Sequence, residues 1–389
     1  LCLSNPEVIK TLKQNLSEEI EKNRTKKYWS VSQNDCYNYC ECEECNLMYD
    51  EFGSVSGAYI LMANELAKEF PDKNISTLAY QFTRSAPKNI VPLENVNIMF
   101  CSIECNRSMP LSDDPRSKGF VKDMEDWSAL TNNIFIWDYV VQFKNYLTPF
   151  PNFHVLQPNI QFFKNNNVNM MFQQGSGGNW SDMSDLKQYL IAKLLWDPNI
   201  DVDSIVDDFM IKYYGQAEPY ISSYFKLMHS SLIENQKEEF LNIYGFPADY
   251  VDSYLTAELL SQYRSIMDKA EESVKNDSMY LIRVLRTRLP VDFAYLDIAL
   301  NKDSGDISYL NIKNDSTFLR TDMLDYLNRF IEISELSETT RINERNFITR
   351  DYKDYVLRKL NMMTKVNIAK EKTVKLITQP SDIYPVGEE

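Results

Sequence analysis

The chain has 389 residues, enough for two or three domains with cores of their own, and its 44% hydrophobic and 25% charged residues are ordinary for a globular protein. A net charge of −15 argues against nonspecific nucleic-acid binding and against docking on anionic membranes, both of which need an excess of Lys and Arg. No apolar run approaches the ~20 residues of a membrane helix, and no phosphate loop or dinucleotide fingerprint occurs.

Ser4-Asn-Pro-Glu7 reads as a capping box with Pro just inside a helix start, and Val8, Ile9, Leu12, Leu16 and Ile20 follow at helical spacing. Leu1-Cys-Leu3 then reads as the end of a strand feeding that helix. Residues 27–34 alternate aromatic and β-branched residues with small polar ones and predict a strand whose polar tip is Asp35. Directly after it come Cys36, Cys40, Cys42 and Cys45, spaced C-x3-C-x-C-x2-C. That spacing resembles a metal knuckle, so a structural zinc held by these four is one reading. Disulfides and free thiols are the others; the total of seven cysteines leaves at least one unpaired.

A helix is predicted over 57–70 along Ile60, Ala63, Leu66, Ala67 and Phe70, and Pro71-Asp-Lys-Asn74 is turn chemistry. Strands follow at 75–82, ending in Tyr80, Gln81 and Arg84, and at 96–103, ending in Glu104-Cys105-Asn106-Arg107. A helix over 118–130 leads to a strand at 133–141 that carries Trp137, Asp138 and Tyr139. A helical stretch from near Pro158, a strand at 168–172 and a helix over 181–196 close the series.

Strands alternating with helices read as parallel βα units. Five strands and the tip of a sixth fall short of the eight in a closed barrel, and five or six would leave a costly open edge. The fold class is therefore α/β: a (β/α)8 TIM-type barrel lacking its first strands, with an upstream N-terminal region of the same protein expected. Residues 1–197 are assigned to the C-terminal part of this catalytic barrel. Past Trp196-Asp-Pro198 no strand of weight is expected. Helices are predicted near 201–214, 217–233, 237–243, 248–276, 278–300, 316–334 and 350–361, making 198–376 an all-α domain and 377–389 a linker or tail.

Parallel barrels place their chemistry at the C-terminal strand ends. Here those ends supply Asp35, Tyr80 with Arg84, Glu104 with Arg107, and Asp138. Glycoside hydrolysis needs two carboxyls across the scissile bond, and Asp35, Glu104 and Asp138 are the catalytic candidates. Glu104 follows an apolar run between two cysteines and reads as a buried acid suited to donating a proton. An unpaired Asp138 inside Trp137-Asp-Tyr139 would be expensive, so it is expected to be held by a partner or by function. Arg84 and Arg107 are candidates for gripping a substrate carboxylate bidentately. Tyr37, Tyr80, Trp137, Tyr139 and Trp180 are candidates for stacking on sugar faces, with core packing as the alternative. With only His154 and His229 in the chain, histidine-based triads and metal sites are disfavoured.

Ser30-Val-Ser-Gln-Asn-Asp35, Cys40-x-Cys42-x2-Cys45, Leu78-Ala-Tyr80, Ile136-Trp-Asp138-Tyr139, and Leu194-Leu-Trp-Asp-Pro198 with Tyr213-Tyr-Gly215 occur in this order. Together they resemble a bacterial family catalogued as domain of unknown function 4838, over roughly residues 1–235. That family is similar to the barrels of α-glucuronidases and β-hexosaminidases. The resemblance implies a preceding N-terminal region, a periplasmic or cell-surface location and a role in polysaccharide utilisation. It implies an acid on the fourth barrel strand (Asp35) and base carboxylates on the sixth and seventh (Glu104, Asp138). Asn34-Asp35 stands where hexosaminidases have Asp-Glu, so a substrate-assisted mechanism is unsupported. The reading is a glycoside hydrolase acting on a complex or uronic-acid-containing glycan, an oligosaccharide or polysaccharide, with no cofactor required. The alternatives are a non-catalytic carbohydrate-binding or scaffold protein on the same barrel, and a metal-dependent hydrolase using the cysteine cluster.

Overall fold

A computed structural model of the chain describes residues 1–302, 307–313 and 316–364; the expected tail at 377–389 lies outside the described residues. The chain opens with α1 (Pro6–Lys22), capped by the Asn5 side chain, which accepts from the Glu7 amide at 2.9 Å. Among the described residues, no strand precedes it. Leu1 and Cys2 are irregular and the chain turns at Leu3–Ser4, with Cys2 O accepting from Asn5 N and Leu3 buried against the sheet's helices. β1 (Tyr28–Ser30) is shorter than its alternating sequence predicts. Beyond it only Val31 still reaches the neighbouring strand, and Gln33 continues the attachment with its side chain, donating to Tyr80 O and Thr83 Oγ1.

The cysteine-rich stretch contains a helix the spacing did not reveal, α2 (Glu43–Phe52), followed by α3 (Ser56–Glu69), β2 (Asn74–Ala79) and β3 (Val96–Cys101). Then come α4 (Lys118–Leu130), β4 (Ile134–Tyr139), α5 (Phe153–Asn165), β5 (Val168–Gln174) and α6 (Ser184–Trp196). α5 begins before Pro158 and carries it inside. The five strands pair in sequence order, all parallel, and curl into an open half-barrel. The arrangement is consistent with part of the expected barrel. Both outer strands keep a free edge, and Tyr28 on β1 and Phe172 on β5 are exposed.

Alternation sorts the side chains. Ile75, Ala79, Val96, Ile98, Phe100, Ile134 and Ile136 pack beneath Ala63 and Leu66 of α3 and Phe120, Met124 and Trp127 of α4. The other face carries Ser76, Leu78, Met99, Cys101, Phe135 and Trp137.

The rest is helical: α7 (Val202–Tyr214), α8 (Glu218–Asn235), α9 (Ala257–Ser273) and α10 (Ser278–Leu300), then α11 (Thr321–Leu336) and α12 (Thr349–Met363). Three expectations fail here, the first being the helix expected over 248–276, which begins only at Ala257 after a run of turns. A short antiparallel hairpin pairs β6 (Leu310–Lys313) with β7 (Ser316–Leu319) where no strand was expected, and β7 takes the first residues of the helix expected over 316–334. Residues 237–243 are a loop, because their backbone is engaged by the half-barrel: Arg107 N donates to Leu241 O, Leu241 N to Asn106 Oδ1 and Phe143 N to Ile243 O at 2.7 Å. One core runs from Tyr139, Phe143 and Leu190 through Met210, Tyr224 and Met267, so half-barrel and helices share buried apolar contact. Among the described residues, no helix is long and apolar enough to cross a membrane.

His229 lies in this shared core, its ring centroid 4.1 Å from Phe225 and 5.5 Å from Phe153, with Nδ1 donating to Phe225 O at 2.8 Å. Burial lowers its pKa from 6.5 to about 3. The native imidazole stays neutral while the unfolded chain takes up a proton, so this stability is intact above pH 6.5 and is lost as pH falls toward 3. Compared with a His229→Phe variant, urea unfolding of the native chain should show an extra acid slope approaching about 1.4 kcal/mol per pH unit in that window. Identical slopes would mean that the imidazole is protonated inside the fold.

Candidate functional site

Because the strands are parallel, their C-terminal ends at Ser30, Ala79, Cys101, Tyr139 and Gln174 line one rim. The tip of β2, between those of β1 and β3, gathers candidate residues from both neighbours. After Ala79 the chain turns through a single 3-10 turn, Gln81–Thr83, with Thr83 buried and bonded back to Leu78 O and Tyr80 O. This turn holds Tyr80 and Arg84 at its two ends, each meeting an acid from a different neighbouring strand. The Tyr80 hydroxyl donates to Asp35 Oδ1 at 3.2 Å, from the loop after β1. Arg84 Nη1 meets Glu104 Oε1, from the loop after β3, and its Nε donates to Asp123 Oδ2 of α4 at 2.6 Å. Burial and the adjacent Asp35 push the Tyr80 phenol up, and burial with Glu104 pushes the Cys101 thiol up to about 12. Asp35 is exposed. Glu104, read from sequence as buried, has a 41% exposed side chain, because the chain has left the strand by that point and turns toward solvent.

Asp138 sits differently. Its strand register pairs Trp137 with Cys101 and Phe172, and Asp138 with Gln173. Trp137 and Tyr139 share the open face of the sheet, their rings 6.4 Å apart and nearly parallel, with Trp137 Nε1 donating to Gln174 Oε1 at 2.6 Å. Asp138 leaves the opposite face, beside Ile134 and Ile136. There Ser102 Oγ donates to it at 2.5 Å and the Arg107 guanidinium lies 3.7 Å away, all three residues being buried. Parallel strands alone suggested three acids around one opening. The structure brings Asp35 and Glu104 to the rim and sets Asp138 behind it.

Arg107, a candidate for gripping substrate, is turned inward. Its Nε donates to Tyr139 O at 3.2 Å, and Nη2 donates to Ser102 O at 2.7 Å and to Ser102 Oγ at 3.1 Å. Nη1 meets Cys105 O. The candidate stacking residues divide as well. Tyr37 is 79% exposed on the loop after β1, Tyr139 is buried at the rim, and Trp180 is half-buried beneath Arg341, whose guanidinium lies 5.2 Å from the indole.

One wall of the rim comes from the helical region and was invisible in the sequence. Glu344 N donates to Phe143 O, and Tyr146 N donates to Ile342 O at 2.6 Å, so the loop before α12 folds onto the β4–α5 loop. Tyr244, on the loop after α8, packs against Phe143. Burial raises the Tyr244 phenol, as do Glu344 and Asp35, while Arg345 opposes, so charges from separate segments act on it. No spacing rule connects Tyr244, Glu344 or Arg345 to Asp35.

The cysteine cluster also differs from its sequence reading. Cys40, Cys42 and Cys45 converge, but Cys36 does not join them: it is exposed, and its thiol contacts Asn38 O. The β1 tip carries Cys36 outward before the chain turns back. The fourth member is Cys2, from the turn before α1, and the four sulfurs lie within 4.8 Å of one another. Burial raises the Cys45 thiol, but hydrogen bonds from Ser4, Cys42 and Cys40 outweigh it and bring it to about 6. Among the described residues this is the group of four thiols close enough to share one ion.

The fold and rim define an α/β half-barrel protein with acids and aromatic residues at its strand tips and a helical region folded against it. The profile of the family described as Domain of unknown function (DUF4838) matches residues 1–226, more than half of the chain, and the protein belongs to that family. In three dimensions it is similar to a GH138 enzyme targeting pectin rhamnogalacturonan II. The identity is 10% and the TM-score 0.42, over 92% of this chain and 72% of that one. No curated protein matches the sequence.

Removing the Arg107 guanidinium would strip the buried Asp138 carboxylate of its cation and leave the carbonyls of Ser102, Cys105 and Tyr139 without that donor. Arg107→Met should cost about 3–5 kcal/mol in urea unfolding. A loss below about 1 kcal/mol, the range of an exposed pair, would show that the site is hydrated.

Proposed function

We propose that this protein is a glycoside hydrolase acting on a complex or uronic-acid-containing glycan, with Asp35 and Glu104 as the reacting carboxyls. The observation that carries the reading is the β2 tip. Tyr80 and Arg84, one short turn apart, each engage one of two exposed acids delivered by the flanking strands. In such a pair one carboxyl protonates the departing glycosidic oxygen while the other activates water or attacks the anomeric carbon. Tyr80 orients Asp35, and Arg84 holds Glu104 until substrate arrives. Asp138 is the positioning carboxylate: with Ser102 and Arg107 it fixes the strand ends from behind and touches no sugar. Trp137, Tyr37 and Tyr244 offer ring faces for stacking, whereas Tyr139 is buried and Arg341 covers Trp180. Arg345, exposed and near enough to act on Tyr244, is suited to a sugar carboxylate, a local grip that an overall negative chain requires. The natural setting for such a substrate is the periplasm or the cell surface.

A second reading has its own support. Glu104 and Asp138 each have a basic partner within the protein, as carboxylates do in a carbohydrate-binding scaffold that performs no chemistry.

The two readings separate on a panel of plant and bacterial oligosaccharides, followed by reducing-end release and by calorimetry. Under the hydrolase reading the native chain cleaves at least one member. Asp35→Asn and Glu104→Gln each then lose about 100-fold or more of kcat, the scale of one acid–base group, and still bind. Binding without cleavage by the native chain selects the scaffold, and full turnover in both variants removes these residues from the chemistry.

A further inference from the structure

We propose that Cys2, Cys40, Cys42 and Cys45 bind one structural zinc ion, which fastens the start of the chain to the loop that carries Asp35. The geometry is that of a tetrahedron. A zinc–thiolate bond of about 2.3 Å at tetrahedral angles puts neighbouring sulfurs about 3.8 Å apart. Cys2 Sγ lies 3.7 Å from Cys42 Sγ and 3.8 Å from Cys45 Sγ, and all four sulfurs fall within 4.8 Å of one another. Two disulfides would instead draw the sulfurs into separate pairs about 2.05 Å apart. Here Cys2 is equally near two partners.

The donor set also selects the metal. Four soft sulfur ligands favour zinc over calcium or magnesium, and four protein ligands close the coordination sphere. No position is left for a water, so the ion is a staple and not a hydrolytic centre. Binding is not a redox step: each thiol releases its proton to solvent as its Zn–S bond forms. The surroundings suit the resulting negative charge. Cys42 caps α2 and Cys45 lies in its first turn, where the helix dipole favours anions. The Ser4 hydroxyl is 3.2 Å from Cys2 Sγ and 3.3 Å from Cys45 Sγ, placed to hydrogen-bond the bound sulfurs.

The ion would join segments 38–43 residues apart in sequence at a corner where the sheet offers only the three residues of β1. Between β1 and the cluster runs the exposed loop bearing Asp35 and Tyr37, held at its near end by Gln33 and at its far end by Tyr49 Oη donating to Cys40 O at 2.9 Å. Zinc at Cys40 and Cys42 makes that far end a fixed point.

The test uses the full chain, purified under reducing conditions without chelator and reconstituted with zinc. Elemental analysis should give about one zinc per chain, the stoichiometry of a four-thiolate site. Cadmium exchange should produce the near-ultraviolet sulfur-to-metal charge-transfer band. Cys2→Ser should lose most of the metal, whereas Cys36→Ser, at the residue that local spacing would choose, should retain it. A chelator should lower the Tm of the native chain and leave that of Cys2→Ser unchanged. Titration of the unfolded native chain in chelator should find seven free thiols, a measurement that does not depend on any variant folding. A disulfide among these four, no zinc after reconstitution, or metal lost from Cys36→Ser but kept by Cys2→Ser would overturn the proposal.

Discussion

Successive side chains of a strand leave opposite faces of the sheet, and in this protein that alternation decides what the rim contains. In Ile134–Tyr139 the even positions, Ile134, Ile136 and Asp138, face the helices, and the odd ones, Phe135, Trp137 and Tyr139, face the open side. A one-residue slip would bring Asp138 to the open face and bury Trp137 among isoleucines, so register is strongly fixed here. The aromatic residues are presented because the carboxylate is withheld. Asp35 and Glu104 escape the rule because both lie beyond the last paired residue of their strands, in loops whose direction is set by side-chain bonds.

The withheld carboxylate organises the loop after β3. Arg107, drawn in by Asp138, closes on the carbonyls of Ser102, Cys105 and Tyr139, while its own amide donates to Leu241 O of the helical region. Asn106 beside it accepts from Leu241 N and donates to Asp114. The same few residues thus join β3, β4 and the loop after α8, whose continuation carries Tyr244 to the rim. Strand tips and helical region are built against one another, and the apolar core crosses between them without interruption.

Much of this order is legible in the sequence. Each strand from 74 to 174 is signalled by a β-branched or apolar run, and α3, α4, α7 and α10 by helical spacing, because there the core-facing pattern and local propensity agree. The legible part ends where tertiary contacts decide. Backbone groups of Leu241 and Ile243 are taken by half-barrel loops, so the stretch 237–243 is held out of a helix. Leu1–Leu3 looks like strand and runs instead into a turn at Leu3–Ser4, where Cys2 lies against Cys42 and Cys45. The rim itself is half legible. Strand order brings Asp35, Tyr80 and Glu104 to one end of the sheet, but the choice of Arg84 as partner of Glu104, and the arrival of Tyr244, are contacts between segments that no local pattern encodes.

The three acids also differ in how firmly they are held, and this difference separates their roles. An exposed ion pair contributes only about 0–1 kcal/mol, so a substrate hydroxyl or carboxylate can take Arg84 from Glu104 at little cost. A single phenol on an exposed Asp35 can likewise exchange for a sugar hydroxyl or a water. Asp138 has no such freedom. Separating it from Ser102 and Arg107 would leave a carboxylate and a guanidinium unpaired in the protein interior, a cost of several kcal/mol that no sugar contact could recover. A group that exchanges partners and protons must be cheap to release, and one that fixes a framework must not be. By that measure the proposed hydrolase would draw its chemistry from Asp35 and Glu104 and leave Asp138 to hold the strands that present them.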